Sequence, residues 1–271
     1  MMLALRQWGA FIKRSYREQV SYRLAVVLAM VTTAVSLLQF VFMGKFIQSG
    51  NSFPGIASYG GDILAYLVSG SVFTGFVTVC ISSFSSYLTS EQRIGTIESV
   101  ASSPTALTRT MLYAAVTGLL GTILGSLLML LVFGLGFGIQ FHVNVPGLLM
   151  ILLSLVLALF GFGLAGCGIL LVTKKGDPVT WVFSTATTLL SGVMFPAAIL
   201  PGWLQGASNF IPTTVALKGV RLAMLTSAAP LELWGPVKEL AVWAMFSLPI
   251  GMVIFRRGLA KARRFGTLAD Y

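Results

Sequence analysis

The run LLMILLSLVLALFGFGLAGCGILLV, Leu148–Val172, holds 25 residues and no charge. A helix of that length extends about 37 Å, more than the roughly 30 Å hydrocarbon core of a bilayer. It is apolar on every face, which reads as a helix surrounded by protein and lipid rather than by water. On either side of it, other uncharged runs occupy Leu24–Met43, Ile63–Leu88, Met111–Ile139, Val179–Leu200 and Leu240–Phe255. The sequence therefore predicts an all-α integral membrane protein with six transmembrane helices.

Composition agrees. Of 271 residues, 56% are hydrophobic and 10% charged, against about a quarter charged in soluble domains. The charges lie between the spans because an uncompensated charge in hydrocarbon is expensive. Arg6, Lys13, Arg14, Arg17 and Arg23 precede the first span, Arg93 and Arg109 follow the second, and Lys174 and Lys175 follow the fourth. Arg256, Arg257, Lys261, Arg263 and Arg264 follow the sixth. Only Lys45, Lys218, Arg221 and Lys238 fall on the other side, a ratio of 14 to 4 that predicts both termini in the cytoplasm. The net charge of +10 is thus a topology signal and no sign of nucleic-acid binding. The first span, preceded by a long basic and aromatic segment, does not read as a cleaved signal peptide.

The connecting segments differ in character. Within residues 1–22, Leu5, Trp8, Phe11, Ile12, Tyr16 and Val20 recur at near-helical spacing among basic residues. That pattern predicts an amphipathic interfacial helix, either a simple anchor or a docking surface. Residues 89–106 form the most polar cytoplasmic loop, with a short helix expected to break at Gly95 and stop near Pro104. A plain connector would need only a few residues. Residues 195–225, which contain Phe195-Pro196 and Leu200-Pro201-Gly202-Trp203, cannot form one straight helix and read as an outer re-entrant segment. Residues 1–271 form a single transmembrane domain on this reading, without internal repeats. The glycines of the third and fourth spans, Gly121, Gly125, Gly161, Gly163, Gly166 and Gly168 among them, predict close helix packing, with sliding between helices left open.

Catalytic chemistry is missing. No phosphate-binding Gly-x-x-x-x-Gly-Lys-Ser/Thr loop occurs, and the six span cores hold no ionisable acid or base for an ion-coupled carrier. Asp62 and Asp177 read as helix caps, the latter before Pro178. His142 stands alone in an outer loop, and Cys80 and Cys167 lie among small apolar residues as packing groups. Glu91 and Glu98, seven residues apart, suit a solvated or partner-facing helix better than paired catalytic carboxylates. No metal site is expected.

Two stretches nevertheless carry a pattern. One is Glu91-x-x-x-Gly95-Thr96-Ile97-Glu98-x-x-x-x-Ser103-Pro104; the other is Ser191-Gly192-x-x-Phe195-Pro196-x-x-x-Leu200-Pro201-x-Trp203-Leu204, followed by Ile211-Pro212-Thr213-Thr214 and Val220-Arg221. Together they resemble the membrane (permease) subunits of type-2, or type V, ATP-binding-cassette exporters. Ile97 replaces a usual Leu, and Ile211-Pro212-Thr213-Thr214 replaces a usual Pro-Leu-Thr.

The resemblance implies two cytosolic ATPase subunits, which would hold ATP and Mg, a second permease subunit of the same or another kind, and the plasma membrane as location. No cofactor would bind this chain. It implies a coupling helix at Glu91, Arg93, Gly95, Thr96, Glu98, Ser103 and Pro104, with Glu91 and Glu98 pairing with cations of the ATPase. It also implies a translocation path or outer gate near Phe73, Thr74, Phe76, Thr187, Ser191, Met194, Phe195 and Pro196, although ordinary helix packing accounts equally for these residues. The cargo would be lipid-like or drug-like, with a polysaccharide or glycolipid as the alternative. A membrane lipid-modifying enzyme would need an Asp, His or Glu cluster that the sequence does not supply. A passive channel leaves the polar 89–106 loop unexplained.

Overall fold

The computed structural model describes residues 6–14, a subset of positions between 24 and 44, and residues 62–101, 107–139, 141–173 and 177–265. The chain forms two compact units, Met1–Ser52 and Phe53–Tyr271. In the first unit, residues 6–14 are helical, with Arg6, Lys13 and Arg14 exposed and Trp8, Phe11 and Ile12 half-buried, the expected amphipathic division. Every described position from 24 to 44 is helical as well.

The second unit is built from eight described α-helices: α1 (Ile63–Ile94), α2 (Ile97–Ala101), α3 (Leu107–Phe137), α4 (Val145–Thr173), α5 (Pro178–Leu190), α6 (Gly202–Phe210), α7 (Pro212–Leu225) and α8 (Trp234–Arg264). A single 3-10 turn, Ala197–Ile199, precedes α6. No strand occurs among the described residues, so the fold is all-α. Among the described residues four helices, α1, α3, α4 and α8, are long and apolar enough to cross a membrane; much of the first expected span, Leu24–Met43, lies outside the described residues.

Two expected spans change their bounds. The fifth was expected over Val179–Leu200, but α5 ends at Leu190 after 13 residues. Such a helix is about 20 Å long, short of the roughly 30 Å core. Gly192 takes φ 82° and turns the chain out of the helix, and Pro196 follows; each bars an uninterrupted helix to Leu200. The sixth was expected over Leu240–Phe255, whereas α8 continues to Trp234 and Arg264. The uncharged core is only its middle, because lysine and arginine stems can lie along a helix end while their charges reach polar surroundings. Pro249 stands within α8, where it removes one N–H from the helical ladder.

Close approach between helices explains the expected glycine packing in α4. A side-chain carbon added to Gly251 would come within 2.0 Å of the Gly161 carbonyl oxygen, and one added to Gly258 within 2.3 Å of the Gly168 oxygen. Both pairs are seven residues apart, so α4 and α8 run parallel with their backbones touching. Ser247 Oγ donates to the Ala158 carbonyl at 2.7 Å beside this seam. Small residues allow such contact where lipid removes the hydrophobic drive for helices to meet. On the other side of α4, Gly163 faces the carbonyls of Cys80 and Ile81 in α1. By contrast, Gly121 and Gly125 meet nothing within 4 Å among the described residues. α3 buries only Leu107, Met111, Ala115 and Phe133.

The connections gather at two ends. At one, Asn144 N–H donates to Ala223 O at 2.8 Å, Asn144 Nδ2 to Ala228 O at 2.8 Å, and Ser227 Oγ to His142 O at 2.8 Å. The start of α1, the break after α5 and α7 meet at this end too. Arg93, Arg109, Arg256 and Arg257 fall toward the other end, following the directions of α1, α3 and α8. Asp62 and Asp177 cap their helices as expected: Asp62 Oδ1 accepts from Leu64 N at 2.8 Å, and Asp177 Oδ1 from Thr180 N at 3.0 Å. Cys80 and Cys167 are buried free thiols.

Candidate functional site

Three features of the second unit bear on function: the broken loop after α1, a hydroxyl-bearing face of α1, and a buried arginine at the opposite end.

At the loop, α1 ends where Gly95 adopts φ 77°. Gly95 N–H donates to Gln92 O and Thr96 N–H to Glu91 O, both at 3.0 Å. These are the two bonds of a Schellman ending, which satisfies carbonyls that the helix leaves open. Thr96 Oγ1 donates to the Glu91 carboxylate, closing the same turn through side chains. Glu91 is consequently 2% exposed. It was expected to face a partner's cations; instead its carboxylate is directed into the turn, because Gly95 folds Thr96 back over it. Glu98, Arg93 and Ser99 remain exposed. Ile97 is fully buried and anchors α2, while Ile94 is 59% exposed at the corner. Ile94 was not among the expected site residues; an apolar residue at the exposed end of a polar stretch was the available signal. Ser103 and Pro104 lie outside the described residues.

Along α1, Thr74 Oγ1 donates to Gly70 O at 2.9 Å, Thr78 Oγ1 to Thr74 O at 2.9 Å and Ser82 Oγ to Thr78 O at 2.8 Å. Each hydroxyl satisfies itself on the turn below, which makes the face polar yet tolerable in a membrane. Toward the loop this face opens into a cleft of about 410 Å³ lined by Ser82, Ser85, Ser86, Thr89, Ser90, Arg93, Leu170, Asp177 and Thr180. Ser85 Oγ and Thr180 Oγ1 donate to Asp177 Oδ2 at 2.5 and 2.7 Å, so the carboxylate ties α1 to the start of α5.

The expected path residues separate into two groups. Thr74 belongs to the hydroxyl face, and Met194 is exposed beyond α5 with Phe195 partly so. Phe73 and Phe76 are buried on the other side of α1, and Pro196 is buried as well. Thr187 is buried and its Oγ1 lies 3.2 Å from Thr213 Oγ1 of α7, and Ser191 Oγ donates to Thr187 O.

At the other end, Arg221 of α7 is 3% exposed. Its Nη1 donates to Gly192 O at 2.9 Å, and its Nη2 to Val193 O at 3.2 Å and Tyr66 O at 3.3 Å. Tyr66 Oη donates to the same Gly192 oxygen at 2.7 Å. The left-handed turn at Gly192 presents that carbonyl to both. Arg221 had been counted only as an outer-loop charge, although Val220-Arg221 closes the second motif.

The family model described as ABC-2 type transporter matches residues 6–225. The chain belongs to this family. It is a transmembrane subunit of an ABC exporter and a multi-pass membrane protein. Comparison with curated proteins finds no match. The match to the ABC-2 transporter family takes in the broken loop, the hydroxyl face and the Arg221 node, and stops where α7 ends. α8 lies beyond it, held to α4 by the glycine seam.

Proposed function

We propose that this ABC-2 transporter subunit moves an amphipathic, lipid-like or drug-like molecule out of the cytoplasm or the inner leaflet. Two cytosolic ATPase subunits bind ATP and Mg and drive it, and a second permease subunit completes the path. Both termini lie on the cytoplasmic side of the plasma membrane, the side of the 89–106 loop.

The observation that carries the reading is the exposed corner Arg93-Ile94-Gly95 followed by Glu98 and Ser99, on a turn whose inner side is locked by Glu91, Thr96 and Ile97. A rigid turn bearing one apolar residue and two opposite charges suits docking into a groove of a protein partner. Movement of that partner would pass into α1, since α2 is joined to it through a fixed turn rather than a loose linker.

Cargo passes along the α1 face bearing Thr74, Thr78 and Ser82, with Met194 and Phe195 at its outer end beside Thr187, Ser191 and Pro196. Phe73 and Phe76 back this face from inside. Self-satisfied hydroxyls beside apolar groups favour a molecule with both characters. Co-expression with an ATP-binding-cassette ATPase subunit of the same organism tests the proposal. The expected result is a stable complex whose ATP hydrolysis is blocked by vanadate and whose Glu98→Arg variant fails to assemble; absence of any complex would overturn it.

A further inference from the structure

We propose that the C-terminal end of α8 collects anionic phospholipid headgroups from the leaflet around it, through Arg256, Arg257, Lys261, Arg263 and Arg264. All five side chains are exposed, and none has an ion-pair or hydrogen-bond partner among the described residues. After Glu239 the sequence holds a single acid, Asp270, against these five cations. The negative end of the helix dipole favours Lys261, Arg263 and Arg264 in the last turn. It does not reach Arg256 and Arg257, and it uses none of their N–H groups.

The face on which the cations stand indicates what covers them. Leu240, Ala244, Gly251, Phe255, Gly258 and Ala262 are buried at helical spacing, on the side where Gly251 and Gly258 meet α4. At about 3.6 residues per turn, the exposed Val242, Met245, Phe246, Ile250 and Val253 fall on the opposite half of the helix. The five cations continue that same half. An exposed apolar stripe on a helix long and apolar enough to cross a membrane lies against acyl chains. The cations that prolong it therefore meet the headgroups of the same lipids, rather than a protein groove on another side.

Depth agrees. The uncharged part of α8, Leu240–Phe255, is about 24 Å long, less than the roughly 30 Å hydrocarbon core. Arg256 and Arg257 thus start at its edge, from which their stems extend toward the phosphates. Lys261, Arg263 and Arg264 follow about 7 to 12 Å further along the helix, in the headgroup layer. Clustered lysine and arginine at this depth attract anionic lipid, and guanidinium forks suit phosphate oxygens.

The full chain is reconstituted without an ATPase into phosphatidylcholine vesicles, so the outcome is independent of the transport reading. A donor dye is attached at Ala260→Cys, an exposed position among the cations; Cys80 and Cys167 are buried. Trace phosphatidylglycerol or phosphatidylcholine with matched chains carries the energy-transfer acceptor. Phosphatidylglycerol is expected to be enriched about fivefold at low salt and less in 0.5 M potassium chloride, where charges are screened within about 4 Å. Replacing Arg256, Arg257, Arg263 and Arg264 together by Gln should abolish the enrichment, and replacing them by Lys should keep most of it. A milder variant, Arg263→Gln with Arg264→Gln, leaves the membrane edge intact and should lose part. Equal transfer from both lipids, or an enrichment unmoved in both glutamine variants, would overturn the proposal. Equal transfer joined to loss of an ATPase complex in those variants would assign the face to a protein partner instead.

Discussion

The guanidinium carbon of Arg221 lies 3.5 Å from the centre of the Tyr66 ring. The stacked pair fastens the start of α1 to α7, and both members bond the carbonyl of Gly192 at the break after α5. One cation thus joins three segments, the first and last of them 155 residues apart. Removing a buried donor leaves its acceptors unsatisfied at about 1 to 3 kcal/mol each. Arg221→Leu is expected to lower stability in detergent by several kcal/mol on this basis, whereas Tyr66→Phe removes one hydrogen bond and costs about 1 kcal/mol. Arg221→Lys falls between them, since an ammonium keeps the charge but cannot fork to Gly192 and Val193 together. Chemical unfolding in micelles measures the series; equal losses for all three would contradict the three-way joint.

The turn after α1 separates two roles. Thr96→Val should destabilise the protein by about 1 kcal/mol, because the Glu91 carboxylate then loses a buried partner. Glu98→Arg, at an exposed position, should leave the melting temperature unchanged and weaken the complex with the ATPase. Melting curves and pull-down of the same preparations distinguish the two.

Gly95 has open space around its missing side chain, so its substitution acts through backbone conformation alone. Gly95→Ala must hold φ 77° with a side chain, at a cost of about 1 to 2 kcal/mol. Gly95→Asn, which tolerates that conformation better, should recover most of the loss in stimulated ATP turnover. Failure of asparagine to outperform alanine would show that flexibility, not the left-handed turn, is what the position supplies.

The seam between α4 and α8 gives a paired comparison. Gly251→Leu drives a side chain into the Gly161 backbone, and overpacking against atoms that cannot move aside costs about 3 kcal/mol or more. Gly121→Leu meets nothing among the described residues and should change stability by less than about 0.5 kcal/mol. Detergent-resistant folded yield reports both.

These contrasts also mark what could be read from residues alone. Span recognition worked for α1, α3 and α4 because bilayer thickness acts directly on runs of apolar side chains. It misjudged α5, since the apolar residues from Ser191 to Leu200 continue the run after the backbone has turned at Gly192. Helix caps at Asp62 and Asp177 were legible because they are local bonds. The inward turn of Glu91 was not: two glutamates at helical spacing look alike until Gly95 folds the chain over one of them. Arg221 was hidden for a related reason. A charge counted in a loop gives no hint that three backbone carbonyls, two of them exposed by a glycine turn about 30 residues earlier, are arranged to receive it. Gly121 and Gly161 likewise belong to similar glycine-rich runs, and only tertiary packing places Gly161 at a helix seam while Gly121 meets none of the described residues.

Transport powered through the 89–106 loop is tested most directly by a photo-crosslinking residue placed at Ile94, 59% exposed, with a second placed at Leu135, 82% exposed near the far end of α3. In cells that also express an ATPase subunit that co-purifies with the chain, irradiation should join the Ile94 variant to that nucleotide-binding protein and leave the Leu135 variant unjoined. No adduct at Ile94, or equal adducts at both positions, would contradict the proposed coupling.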